Sequence, residues 1–302
     1  MRIHGVAIED TFAEAFTMRA ARVVITADTR EWAQVAARQM TGFATSVIGC
    51  KCEAGVECEW GPDQTPDGRP GVSVLLFTMD AESLGKRLIE RIGQTVLTCP
   101  TTACFDGLPG VADHVAVGRA LRTFGDGFQI SKVVDGERFW RIPVMEGEFL
   151  IQEMFGLQEA IGGGNFLILG RDARASLGAA ERAVRAIVGM PGVIRPFPGG
   201  IVRSGSKVGS KRYKRMIAST NDAYCPTLRA VTTTALPEGA GSVLEIVLDG
   251  LDASAIAAAM RCGIDAACSD DVMAITAGNY GGKLGPHHFH LRRIMSDDVE
   301  GA

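Results

Sequence analysis

Apolar positions along the chain fall into two alternating periods, and the alternation predicts four strand–helix–strand segments. The first runs from a strand at Arg22–Ala27 through a helix over Glu31–Met40 to a strand at Thr45–Gly49. Trp32, Val35, Ala36 and Met40 recur on one face of that helix. The second runs from Val72–Phe77, the strongest apolar run in the chain, through a helix over Glu82–Gly93 to Thr95–Thr98. Its buried stripe is Leu84, Leu88 and Ile92. The third joins Phe166–Leu169, a helix over Ser176–Val188 with Leu177, Ala180, Val184 and Ile187 on its stripe, and Val193–Phe197. The fourth joins Val243–Leu248, a helix over Ala253–Ala267 and Val272–Ala277.

These segments read as two copies of two. Val24 to Arg30 echoes Ile168 to Arg174, and Asp80 to Leu84 echoes Asp252 to Ile256. Asp28, Asp172, Asp80 and Asp252 each sit where a helix N-cap accepts from free backbone N–H groups. The order βαββαβ, twice, predicts an α+β protein of two ferredoxin-like (split βαβ) lobes from an internal duplication, dividing near residue 150. The two offsets, 144 and 172 residues, differ by 28, so the second lobe carries an insertion around Arg203 to Pro237. With its aromatic and apolar anchors, a polar loop of that length is expected to be ordered and functional. Between the lobes, Phe139–Val144 and Glu148–Ile151 flank Glu146-Gly147 and predict a hairpin that serves as an arm toward the other lobe or a partner subunit.

Composition narrows the function classes. At 302 residues, with 46% hydrophobic and 22% charged positions, the chain buries a full core without disulfide staples. A net charge of −4 argues against non-specific nucleic-acid binding, and no RNP-type aromatic motif supports an RNA-binding reading of the lobes. No run approaches 18 apolar residues, so no membrane-spanning helix is expected. The start, Met1-Arg2-Ile3-His4-Gly5-Val6, lacks the apolar core of a signal peptide, which predicts a cytoplasmic protein with eight reduced cysteines. Cys50, Cys52 and Cys58 do not have zinc spacing. His288 and His290 would share a strand face but lack a nearby carboxylate or thiol, so no metal site is expected.

Three features can carry chemistry. Glu245 interrupts the apolar strand Val243–Leu248, on the face of Val243 and Val247. If that face is covered, desolvation raises its pKa toward that of a general acid or base; otherwise it is an exposed edge-strand glutamate. Gly200 to Lys207 departs from a P-loop, since Ser206 intervenes before Lys207. The segment still offers anion donors in Ser206, Lys207 and Ser210, or it is a solvated Gly/Ser turn. Asn165 and Asn279 stand beside glycines next to strands, as ligand contacts or as ordinary turn residues.

Several longer motifs carry a resemblance. Glu9 to Phe16, Thr65-Pro66-Asp67-Gly68-Arg69-Pro70-Gly71-Val72 and Phe124 to Phe128 resemble formylmethanofuran:tetrahydromethanopterin formyltransferases. So do Phe197 to Val202, Ser206 to Lys211, Ser219 to Thr227 and Gly278-Asn279 with Gly281 to Gly285. The resemblance runs in unbroken order from about residue 3 to residue 293. It implies formyl transfer between the amine of methanofuran and N-5 of tetrahydromethanopterin, both acting as carrier substrates. It implies no tightly bound cofactor or metal, a homo-oligomer, and a site in a cleft partly between subunits. It places the family's acid–base glutamate at Glu245. Asn165, Ser206, Lys207, Ser210, Asn221, Tyr224, Asn279 and Lys283 are the expected carrier-binding residues. Asn and backbone N–H groups of the Gly-Asn loops are the expected oxyanion donors. The modest charge, the divergent Ala112 to Leu121 stretch and the extra tail after Arg293 resemble the bacterial branch, in which the transferase works with formyl hydrolase subunits. The rival expectation is a non-catalytic scaffold that only binds a carrier for those subunits.

Overall fold

The computed structural model describes residues 1–296; the tail beyond Ser296 lies outside them. The fold mixes helices with an extensive mixed sheet. The chain divides into two compact units. One comprises Met1–Thr17, Ile161–Val188 and the chain from Phe197 onward; the other comprises Met18–Ala160 and Gly189–Pro196. The long strands Phe12–Thr26 and Phe155–Gly170 each contribute residues to both.

In the unit built on Met18–Ala160, four strands lie in the order Glu53–Trp60, Gly71–Thr78, the later part of Phe12–Thr26, and Ala103–Asp106. All neighbours are antiparallel. Gly147–Gln152 joins Ala103–Asp106 in parallel, and Glu137–Val144 and Ile130–Val134 continue outward as hairpins. Every residue of Gly71–Thr78 is buried, as a continuous apolar run requires when both faces are covered. The helices Arg30–Thr41 and Ala81–Arg91 bury Ala33, Ala36, Met40, Leu84 and Leu88 against Val23, Ile25, Val74 and Leu76. Each fully buried large apolar side chain of this kind stabilises the fold by about 1.5–3 kcal/mol.

Two expected strands are helical instead. Ser46 caps a helical turn at Val47–Cys50, and the returning strand is Glu53–Trp60. That strand carries Glu53, Glu57 and Glu59, which obscure its apolar alternation. Glu57 is buried nonetheless, because Arg22 meets it at 2.6 and 2.8 Å and the Gly192 amide donates to it at 2.6 Å. At Thr95–Thr98 the preceding helix winds on through a wide turn at Ile92–Val96, with Ile92 and Val96 buried; the strand begins at Ala103. Asp28 is not a cap either. Thr29 accepts from the Trp32 amide, while Asp28 pairs with Arg69 at 3.0 Å.

In the other unit, Ile161–Gly170 is central, flanked antiparallel by Ser242–Gly250 and Val272–Thr276. Val6–Ile8 extends the sheet beyond Val272–Thr276. The helices Ala173–Ile187 and Ala253–Ala267 are capped by Asp172 and Asp252. Their small buried residues bring them close: a Cβ on Gly263 would stand 2.7 Å from Ile187 Cδ1. The 203–237 insertion contains a short ladder, Lys207–Val208 with Ala218–Ser219, followed by single helical turns at Asp222–Tyr224 and Pro226–Leu228.

Candidate active site

Glu245 lies inside the sheet rather than at its edge. Leu167 flanks it on one side, and on the other Val202 exchanges two backbone hydrogen bonds with it, at 2.8 and 3.0 Å. This pairing starts the polar insertion directly beside Glu245. Among the described residues its carboxyl has no hydrogen-bond partner, and burial pushes it up to about 7. A carboxyl that exchanges a proton near neutrality can act as acid or base.

Tyr280 lies near enough to this carboxyl for its charge to act on the phenol. Burial raises the phenol, the Glu245 charge raises it further, and a hydrogen bond with Ser206 partly offsets both. Ser206, Tyr280 and Glu245 are thus brought together from three separate stretches of chain. Lys207 is not a free cation. It pairs with Asp222, which also accepts from Lys211 at 2.6 Å. Asn221 leads the same turn, accepting through its backbone carbonyl from Tyr224 N at 3.0 Å. The Tyr224 ring packs on the cluster of Leu167, Leu169 and Leu236, and burial raises its hydroxyl despite a bond to Thr276. Ser210 Oγ accepts from the amides of Arg212 and Tyr213 at 3.3 and 2.9 Å, holding the insertion's tip.

The two asparagine side chains serve the chain itself. Asn165 donates to the carbonyls of Gly163 and Gly278 and accepts from Gly278 N at 2.6 Å. Asn279 donates to Thr11 and Phe12 and accepts from Gly281 N at 3.1 Å. Lys283 is exposed and has no ion pair among the described residues.

Sequence reasoning missed Tyr280 and Glu14. Glu14 is 1% exposed. Its two oxygens accept from the amides of Tyr280, Gly282, Leu284 and Gly285 at 2.5–2.9 Å. Burial by itself would raise this carboxyl; the four N–H groups outweigh that and bring it down to about 2. The only sequence signal was that both residues fall within or beside motifs shared with one family.

Among the described residues, no three His, Cys, Asp or Glu side chains gather in a way that could hold a metal ion. No helix among them is long and apolar enough to cross a membrane.

Residues 1–144 match the family model for formylmethanofuran-tetrahydromethanopterin formyltransferase, and residues 147–294 match that for the proximal lobe of the same proteins. The chain belongs to the formylmethanofuran–tetrahydromethanopterin formyltransferase family. Among curated members it is similar to formylmethanofuran--tetrahydromethanopterin formyltransferase of Methylobacillus flagellatus, at 58% identity over 98% of this chain and 100% of that protein. It is 52% identical to a subunit of the formyltransferase/hydrolase complex of Methylorubrum extorquens, over 97% of each. Among solved structures, the family enzyme from Methanosarcina barkeri superposes with a TM-score of 0.94 at 49% identity, covering 97% of this chain and 100% of that one. The Methylorubrum extorquens formyltransferase/hydrolase complex, solved with methylofuran, superposes with a TM-score of 0.94 at 51% identity over 98% of each chain. Glu245, Ser206, Tyr280 and Lys207 all lie in the stretch matched as the proximal lobe.

Proposed function

We propose that this chain is a formyltransferase, moving a formyl group between the amine of formylmethanofuran, or an analogue of it, and N-5 of tetrahydromethanopterin. End-to-end similarity to curated formyltransferases at 58% identity carries the reading. The chemistry is acyl transfer. The acceptor nitrogen attacks the formamide carbon, a C–N bond forms, and the carbonyl oxygen becomes an oxyanion. The old C–N bond then breaks, and the proton lost by the attacking nitrogen is made good on the departing one. Glu245 is the proton carrier. A carboxyl near 7 both takes and gives a proton without a large penalty in either direction.

Formamides are poor acylating agents, so the oxyanion needs preorganised donors. The hydroxyls of Ser206 and Tyr280 take that role better than the asparagines, whose amides are already bonded to groups of the chain itself. Lys207, Asn221 and Tyr224 form the adjoining carrier-binding wall, Ser210 and the exposed Lys283 contribute to it, and Asn165 and Asn279 shape their own loops. The two-lobe duplication is supported by the shared strand order of the two βαββαβ runs, in which the first strand lies between the third and the fourth.

The enzyme works in the cytoplasm, as a homo-oligomer or with hydrolase subunits. The relative that is a subunit of a formyltransferase/hydrolase complex supports that assembly. Purified chain mixed with formylated methanofuran or methylofuran and tetrahydromethanopterin is expected to form the formyl-pterin by itself. Carrier binding without transfer would instead make the chain a scaffold for hydrolase subunits.

A further inference from the structure

We propose that Glu14 is a positioning residue, whose buried carboxylate moulds the Gly278–Gly285 loop and so sets Tyr280 against Ser206 and Glu245. This rests on the site reading above. The loop turns twice through left-handed backbone, at Gly281 (φ 73°) and Gly282 (φ 70°). Successive N–H groups therefore converge on one point. Such a concavity of amides ordinarily receives an external anion. Here the chain supplies its own: the N–H groups of Tyr280, Gly282, Leu284 and Gly285 all donate to Glu14.

The loop also lies flush on the strand that carries Glu14. A Cβ on Gly285 would stand 2.2 Å from the Ala15 carbonyl oxygen, and Asn279 ties the loop's start to Thr11 and Phe12. Tyr280 reaches from this loop to Ser206, and both the Glu14 and Glu245 charges act on its phenol. Glu14 itself is sealed from solvent, so its influence on turnover must pass through the loop it holds.

The carboxylate is the right shape for the task. An amide in its place, as in Glu14→Gln, would keep the volume but turn an NH2 group toward two of the four donors. A shorter carboxylate, as in Glu14→Asp, would keep the charge but fall one methylene short. The Glu14→Gln variant is expected to lose hydrogen-exchange protection at Tyr280, Gly282, Leu284 and Gly285, with Gly163 and Gly278 unchanged. Its kcat should fall roughly 10- to 100-fold, as small displacements of a catalytic group do, with KM for both carriers within about threefold. Glu14→Asp should recover part of both protection and kcat. It also serves as the measured variant if Glu14→Gln does not fold.

A double-mutant cycle decides the route. If Glu14 acts through Tyr280, Glu14→Gln combined with Tyr280→Phe loses little more rate than the worse single variant. Multiplying losses, unchanged exchange at the four amides, or a rise in KM at constant kcat would each overturn the proposal. Glu245→Gln is measured in parallel. Full activity there would sink the acid–base reading, while the exchange data and the cycle still judge Glu14.

Discussion

Two carboxylates in one unit are driven in opposite directions, and each makes its own prediction. Glu245 is half-buried, and it is raised because desolvation disfavours its charge and no hydrogen bond among the described residues offsets that. Glu245→Gln should lower kcat by about 10²–10⁴-fold at similar KM, and a kcat/KM ionisation near pH 7 should vanish. Stability follows with a definite sign. Between its ordinary value of 4.5 and about 7, native Glu245 holds a proton that the unfolded chain has lost, so stability falls as pH rises through that window. Thermal melts should therefore show Glu245→Gln gaining on the wild type from pH 5 to pH 8, by up to about 2–3 kcal/mol. Glu14 is the mirror case: its contribution is complete above pH 4.5 and is lost as pH falls toward 2. Lys207→Ala should raise KM while leaving kcat nearly intact, because it removes a cation from the binding wall and leaves Asp222 with Lys211. Unchanged KM for both carriers would take Lys207 out of the site. Glu245 was legible in the sequence because a lone carboxyl in an apolar strand is anomalous. Tyr280 and Glu14 were not, since their roles come from contacts between stretches far apart in the chain.

At the scale of elements, local pattern was a good guide where helix and core agreed. The helix expected over Ala253–Ala267 has those bounds, and Val72–Phe77 and Val243–Leu248 sit inside the observed strands. Reading failed where tertiary partners decide. Glu53–Trp60 is a strand because Arg22 and Gly192 satisfy its buried glutamate, which no local period reveals. Ile92–Val96 continues a helix because two apolar residues reach the core, although Thr95 and Val96 favour a strand intrinsically. The paired echoes around Asp28 and Asp172 look alike in sequence and differ in structure. Asp172 caps its helix through the Ala175 amide at 2.9 Å, whereas Asp28 forms an ion pair with Arg69 and its side chain is 63% exposed. Asp172→Ala should therefore cost about 0.5–2 kcal/mol in denaturant titration. Asp28→Ala should stay within about 1 kcal/mol of wild type, as exposed ion pairs do. Equal losses would mean that the cap adds nothing beyond surface charge.

At the scale of the whole molecule, the hairpin expected over Phe139–Ile151 forms, from Glu137–Val144 and Gly147–Gln152, and is longer than the sequence suggested. Ile130–Val134 adds a further strand whose five residues are all exposed, including Ile130 at 53% and Val133 at 52%. It lies at the end of its sheet, with its outer backbone edge unpaired among the described strands. An exposed apolar edge is a liability in an isolated chain, and proteins ordinarily shorten, charge or cover such strands. Here only Lys132 supplies charge along the strand. An assembled state removes the difficulty, and it agrees with the homologous protein found in a formyltransferase/hydrolase complex. Light scattering over a dilution series should give a mass above that of one chain, with activity falling as the assembly dissociates. A single-chain mass at full specific activity would mean that the edge is tolerated and that one chain holds a complete site. The expectation runs the other way because the net charge of −4 is too small to keep exposed apolar surfaces apart by repulsion alone.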